Sequence, residues 1–356
     1  MDYQEFLDKL YQRYSGNVKL GLQRMFEILK EMDSPNLKMK GFHIAGTNGK
    51  GSTCAMLEAL SLGNNLTTGL NTSPHLVNYT ERFRINGKNI TFEEIYNYYK
   101  EWEITFLKTE ASFFEITTAI AFKLFFDKKV DTAIFEVGLG GRLDGTNPFI
   151  PTVSAITSIS IDHKKSLGDN IPQIAFEKAG IIKKDIPVVL GKLTDEALEV
   201  IIKIADERGT TAYCYQEDYF VENIRLNDNG TLFDYRLPSE DITMKDVSVN
   251  LLGEHQAFNC GVALTSFILY LKLTKQEINL ERIKESLNQV NWSGRMQIIS
   301  RDPVTIIDGA HNDAGMEFLI KNMKAIFPKR RISFVLGILR DKPFREMLTM
   351  TSEIAH

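Results

Sequence analysis

Residues 42–56, FHIAGTNGKGSTCAM, decide the fold. The apolar run Phe42, His43, Ile44 and Ala45 has the length of a buried strand, and residues 50–62 have the length and apolar spacing of a helix. Gly46, Gly49 and Gly51 lie in or beside the turn between them, permitting backbone conformations closed to other residues and a close approach to a ligand. A glycine-rich turn feeding a helix N-terminus offers unpaired amides and the positive end of the helix dipole, which suits an anion. Lys50 adds a point charge for phosphates, and Ser52 or Thr53 a hydroxyl near a metal. The general phosphate-loop pattern is Gly, four residues, then Gly-Lys-Ser/Thr. Here Ile44 stands five residues before Gly49, and Gly51 separates Lys50 from the hydroxyls, so the strict pattern fails while its chemistry is kept.

The 356 residues exceed a single ordinary core and imply two domains, or one large domain with an appendage. Hydrophobic residues at 43% and charged residues at 25% match an average globular protein. A net charge of -4 gives no polyanion-binding signature, so no nucleic-acid partner is expected. The opening residues hold no apolar core of signal-peptide length, and no later stretch approaches a membrane span, so no membrane partner is expected either. Three cysteines, Cys54, Cys214 and Cys260, show neither metal spacing nor a disulfide framework, which points to a reduced, cytoplasmic setting.

Outward from the loop, apolar strand-like runs at 42–45, 132–137, 153–158, 187–190 and 211–215 alternate with helical stretches, as a mostly parallel α/β sheet requires. Helices are expected at 91–107 and 112–126, the second opening with Ser112 three residues before Glu115, a capping-box spacing. Around Asn229-Gly230 two alternating runs read as a hairpin. Long helices follow at 255–273 and 280–289. The pattern breaks at 291–295, NWSGR, where a second α/β series begins: a strand at 304–307, a helix after His311, a strand at 331–336 and a helix after Pro343. This places a boundary between a domain of residues 1–291 and one of 292–356, the second with too few strands for a complete sheet.

Polar clusters fall after the strands, where open α/β sheets bind ligands. TSPHLVNYTERFRING, beginning at Thr72, holds Ser73, His75, Arg82 and Arg84, and reads equally as a solvated loop or part of a site. Glu136 lies in an otherwise apolar strand, where a carboxylate needs either a metal or a base such as Arg142 or a lysine. Magnesium shared with nucleotide phosphates suits it, because that ion takes one or two carboxylates and keeps water and phosphate oxygens as its remaining ligands. Asp162 and His163 follow another strand. Lys178, within AFEKAGII, has apolar neighbours on both sides, and desolvation would lower its pKa. A neutral amine there could form a carbamate with carbon dioxide, or the lysine could be structural. GEHQAFN at Gly253, WSGRMQ at Trp292 and IIDGAHN at Ile306 set further polar side chains at element ends.

Taken together and in order, these segments resemble the folylpolyglutamate synthase and dihydrofolate synthase family of Mur ligases. The matching stretches are GTNGKGS from Gly46, TSPHL from Thr72, ERFRING from Glu81, FEVGLGGRLDGTN from Phe135, DH at Asp162, EKAGIIK from Glu177, GEHQ from Gly253 and DGAHN from Asp308. The resemblance implies a large N-terminal P-loop ATPase domain with a mostly parallel sheet and a smaller C-terminal Rossmann-like α/β domain. It implies ATP-dependent ligation of L-glutamate to a folate or dihydropteroate carboxylate through an acyl phosphate, by a monomer. By the same resemblance, Asn48, Gly49, Lys50, Gly51, Ser52, Asn259, Arg295 and Asp308 bind ATP. Ser73 and Glu136 hold one Mg2+, and His163 with a carbamylated Lys178 contribute to a second. Lys50, Lys178, His163 and Arg295 carry the catalysis, and Ser112, Phe113, Phe114 and Leu143 contact the pterin substrate.

Three departures from the family pattern are local: Ser293 replaces proline in WSGR, Asn170 stands where threonine is common, and GILRDKP at 337–343 differs in its last positions. The resemblance also implies a C-terminal domain continuing past the equivalent of His356, so the second domain is expected to be incomplete. Two other readings compete. A Mur-type peptidoglycan ligase is disfavoured by GLGGRLDGTN together with GTNGKGS, and a nucleotide-binding protein without turnover would bind ATP and release no ADP. A GTPase or kinase switch would carry an Asn-Lys-x-Asp segment, and none stands out.

Overall fold

The computed structural model describes residues 2–13, 21–339 and 344–356, so the end of the GILRDKP departure lies outside the described residues. Helices α1 (Tyr3–Tyr11) and α2 (Gln23–Glu31) precede β1 (Gly41–Ala45) and α3 (Lys50–Gly63). Then come β2 (Thr68–Asn71), β3 (Phe83–Ile85), β4 (Lys88–Asn89), α4 (Phe92–Lys108), α5 (Phe113–Asp127), β5 (Thr132–Glu136) and β6 (Val153–Ile156). The chain continues through α6 (Lys164–Leu167), α7 (Ile171–Ala179), β7 (Val188–Leu190), α8 (Asp195–Glu207) and β8 (Ala212–Cys214). These strands form one eight-stranded sheet in the order β4-β3-β2-β5-β1-β6-β7-β8. It is parallel from β2 to β8, with β3 and β4 added antiparallel at one edge.

The pleat distributes the core. On β5, Ile134 faces a cluster built with α3 and the long helix of residues 254–273, while Ala133 and Phe135 face the opposite cluster built with α4 and α5, the two-residue alternation of a strand covered on both sides. Ser112 caps α5 through the Glu115 amide, and Glu115 returns a bond to the Ser112 amide, as the spacing predicts. The hairpin around Asn229-Gly230 forms as β9 (Phe220–Asn227) and β10 (Gly230–Leu237), and β11 (Ile242–Val249) completes a three-stranded antiparallel sheet. Beneath it runs α9 (Glu254–Leu273), apolar almost all round because it is wedged between the two sheets, followed by α10 (Leu280–Ser286). No helix among the described residues is long and apolar enough to cross a membrane.

The last segment contains β12 (Gln297–Arg301), β13 (Val304–Ile307), α11 (Asp313–Ile326) and α12 (Phe344–Ser352). β13 pairs antiparallel with β12, a strand that the periodicity does not announce. The expected strand at 331–336 does not form. Ile332 makes a single bridge to Ala355, and Val335 is fully exposed. An apolar run becomes a strand only beside a partner that accepts its ladder, and among the described residues none lies there.

Candidate active site

All the parallel strands end on one edge of the sheet, and their loops, with the start of α9 and the segment after Trp292, enclose a cleft of about 350 Å³. The loop after β1 is pinned from β6: the Thr47 amide donates to the Ser158 carbonyl (2.8 Å) and the Asn48 amide to Ser158 Oγ (2.9 Å). Gly49 opens α3 in the left-handed region at φ 86°, without a side-chain cap, so the first-turn amides remain free for an anion. An added Cβ at Gly49 would lie 2.3 Å from Asn259 Oδ1. Lys50 folds back onto the Gly46 and Thr47 carbonyls at 2.9 and 3.1 Å. Ser52 and Thr53 are fully buried, and neither hydroxyl has a hydrogen-bond partner among the described residues. Such an orphan costs free energy unless a ligand completes it.

Facing this loop, Glu136 at the end of β5 is buried and accepts from the Ser73 amide at 2.9 Å. Burial raises its pKa, opposed by the charges of Lys50, Arg295 and Arg82. It makes no ion pair among the described residues. Arg142 pairs instead with Glu177 at 2.8 Å, so the salt-bridge alternative for Glu136 is not what the fold builds. Lys178 on α7 is 3% exposed. Desolvation, with the nearby Lys50 charge, brings its pKa down to about 7. His163 is exposed at the mouth of the cleft, in the left-handed region at φ 51°.

The C-terminal segment supplies the far wall. Arg295 donates to the Gly294 carbonyl, and Asp308 is fixed by the amides of Met296 (2.8 Å) and Ala310 (2.7 Å). Burial raises the Asp308 pKa. Asn48, Gly49, Lys50, Gly51, Ser52, Ser73, Glu136, His163, Lys178, Asn259, Arg295 and Asp308 therefore all line one cleft.

Ser112, Phe113, Phe114 and Leu143 do not line it. Ser112 is engaged as the α5 cap, and Phe113 is buried, stacked on Tyr11 at 5.3 Å with Arg82 over its ring at 5.1 Å. The half-buried Phe114 abuts the cleft from behind, since a Cβ on Gly138 would lie 2.6 Å from its ring. Leu143 is half-buried in the neighbouring loop. In exchange, Asp162, Lys192 and His255 join the lining. Lys192 sits over the Phe258 ring at 4.7 Å. His255 is bonded by Gln256 and Asn322, and burial brings its pKa down to about 4. The signal for Lys192 was its place two residues after an apolar strand, at the edge where the other site residues fall.

A phosphate loop, a buried acid, a buried lysine and a far wall bearing Arg295 and Asp308 in one cleft fit a nucleotide-using ligase of the Mur class. The Mur ligase middle-domain family matches residues 44–267, and the Mur ligase glutamate ligase domain matches 294–356. A dihydrofolate synthase/folylpolyglutamate synthase of Bacillus subtilis is 36% identical, covering 99% of this chain and 84% of that protein. The folylpolyglutamate synthase of Lacticaseibacillus casei is 33% identical, covering 91% and 77%. Among solved structures, an FPGS-AMPPCP-folate complex superposes with a TM-score of 0.92 at 31% identity, covering 100% of this chain and 88% of that one. A Mycobacterium tuberculosis folylpolyglutamate synthase complexed with ADP gives 0.91 at 31% identity, with 99% and 80% covered. The chain belongs to the folylpolyglutamate synthase and dihydrofolate synthase family of Mur ligases.

Proposed function

We propose that this chain joins L-glutamate to the carboxylate of a folate or dihydropteroate, using ATP and passing through an acyl phosphate. A carboxylate is a poor acyl donor. Transfer of the γ-phosphoryl group of ATP onto it supplies a phosphate leaving group, which the glutamate amine then displaces as the amide forms. The observation that carries the reading is the meeting of the phosphate loop, Glu136, Lys178, Arg295 and Asp308 around one cleft, in a chain 36% identical to a dihydrofolate synthase/folylpolyglutamate synthase.

In this reading Asn48, Gly49, Lys50, Gly51 and Ser52 hold the phosphates, and Asn259, Arg295 and Asp308 hold the rest of the nucleotide. The orphaned Ser52 hydroxyl and the buried Glu136 carboxylate fit a hard cation beside phosphate oxygens. Ser73 and Glu136 would hold one Mg2+, and His163 with a carbamylated Lys178 would help hold a second. The low pKa of Lys178 favours the neutral amine that carbamate formation needs. Magnesium, when bound, supplies positive charge that offsets the repulsion between phosphate and carboxylate. Lys50 and Arg295 contribute the same kind of charge from opposite walls, fixed in place before the reaction. Residues 1–291 would act as the ATPase and folate-binding part and 292–356 as the glutamate ligase part, whose approach excludes water from the acyl phosphate. The pterin would meet Ser112, Phe113, Phe114 and Leu143 at the margin of the cleft. Three buried free cysteines suit a reducing cytoplasm, where the chain would work as a monomer.

The test is glutamate-dependent ADP release with ATP and magnesium, offering dihydropteroate, tetrahydrofolate and a UDP-muramyl acceptor in parallel. Release with a pterin acceptor is expected and identifies the folate step. Release with the muramyl acceptor alone, or ATP binding with no release for any acceptor, overturns the reading.

A further inference from the structure

Between the phosphate loop and the C-terminal segment lies Asn312, a residue to which neither the fold nor the cleft chemistry has yet assigned a part. It is 3% exposed. Its side chain uses all its hydrogen-bonding capacity. Oδ1 accepts from the Gly315 amide at 2.9 Å and from Asn48 Nδ2 at 3.2 Å. Nδ2 donates to Asn48 Oδ1 at 3.2 Å and to Asp162 Oδ2 at 3.0 Å. The orientation of the amide is fixed twice over, because the Gly315 N–H can only donate and the Asp162 carboxylate is placed as an acceptor.

Each partner belongs to a different element. Gly315 lies in the first turn of α11, which Asn312 caps. Asn48 is in the turn between β1 and α3, its backbone already gripped by Thr157 and Ser158 from the end of β6. Asp162 is in the turn before α6, next to His163. One buried side chain thus joins the phosphate turn, the Asp162 turn and the C-terminal segment. Asn312 itself is buried, whereas Asn48 and Asp162 are partly exposed along the cleft, so losing the bridge loosens the join between these turns more than it orphans buried groups.

We infer that Asn312 is a positioning residue: through its reciprocal amide pair with Asn48 and its bond to Asp162, it locks the phosphate loop and the Asp162-His163 turn to the C-terminal wall. Its effect on turnover rests on the ATP-dependent reading of the cleft, while the lock itself is a property of the ligand-free chain. The residue type follows from the geometry. Serine, aspartate and asparagine all cap a helix well, yet only asparagine also offers the two donors that Asn48 and Asp162 take.

That distinction makes the test. N312S keeps a capping oxygen on α11 and removes both donors. N312D keeps the cap and sets a carboxylate against Asp162. Hydrogen exchange of the ligand-free chain is expected to show the bonded amides of Thr47, Asn48, Ser160 and His163 exchanging roughly tenfold faster in N312S than in the parent, with α11 unchanged. N312D should lose more, and N312D/D162N should recover protection, because the new amide at 162 can donate to the new carboxylate. AMPPCP with magnesium should bind roughly tenfold more weakly to N312S, and kcat/KM for ADP release should fall with it. Parent-like exchange and AMPPCP affinity in N312S overturn the inference, as does loss confined to α11, which would make Asn312 a cap only. If the parent itself binds no AMPPCP, the ATP reading fails separately, and the exchange comparison still decides the lock.

Discussion

Lys178 shows how much a single position can reveal before the fold is known, and where that knowledge stops. Its apolar neighbours predict burial and a lowered pKa, and the structure places it 3% exposed with a pKa of about 7. The cause includes something no local pattern could supply, the charge of Lys50, 128 positions earlier in the chain and brought close by the sheet. The sign of the stability effect follows. Between pH 7 and the ordinary lysine value of 10.5 the unfolded chain keeps a proton that the folded chain has lost, so this group makes stability rise with pH across that window. Lys178→Met should therefore flatten the rise, leave the protein melting at least as high at pH 7, and abolish ADP release; calorimetry from pH 6 to 10 beside the ligase assay checks both. Glu136 differs in kind, since its strand position suggests a buried acid while its bonding to the Ser73 amide is visible only in the structure. Glu136→Gln should cut turnover by about a hundredfold or more without lowering the melting temperature. An unchanged dependence of rate on magnesium concentration would make Glu136 merely structural.

At the scale of elements, residues 42–56 were legible because strand, glycine turn and helix follow from neighbours in the chain. The capping box at Ser112 and Glu115 was legible for the same reason, and it explains why Ser112 is occupied with α5. Ser112→Ala should destabilise the protein by about 1 kcal/mol, the usual value of a helix cap, measured by urea unfolding. KM for the pterin acceptor then separates the two roles: a cap alone leaves it unchanged in the folded enzyme, whereas substrate contact raises it. The strand expected at 331–336 failed because periodicity reports which residues could pair, not whether a neighbour is there to accept them. β12 was missed for the complementary reason, that half-exposed residues pair here with β13 without a clear alternation of their own.

The whole molecule binds its cleft from both sides, with the phosphate loop on one wall and Arg295 and Asp308 on the other, joined behind by the buried Asn312. A ligand that bridges them should stabilise the folded chain as a unit, by about 2.7 kcal/mol at a concentration a hundred times its Kd. AMPPCP with magnesium is thus expected to raise the melting temperature, and Lys50→Ala should remove most of that rise while changing the ligand-free melting temperature little. A rise of the same size in Lys50→Ala would exclude Lys50 from phosphate binding. The sequence by itself determined the α/β alternation, the phosphate loop, the family and the candidate site residues, because these depend on short-range spacing and on side-chain type. Only the tertiary structure decided that twelve of those residues share one cleft while Ser112, Phe113, Phe114 and Leu143 stand behind or beside it. It alone showed that Lys192, His255 and Asp162 join the lining and that Asn312 ties three elements together. Those facts depend on parallel strands converging at one edge and on the C-terminal segment packing against that edge, which places in contact residues that the chain separates by more than a hundred positions.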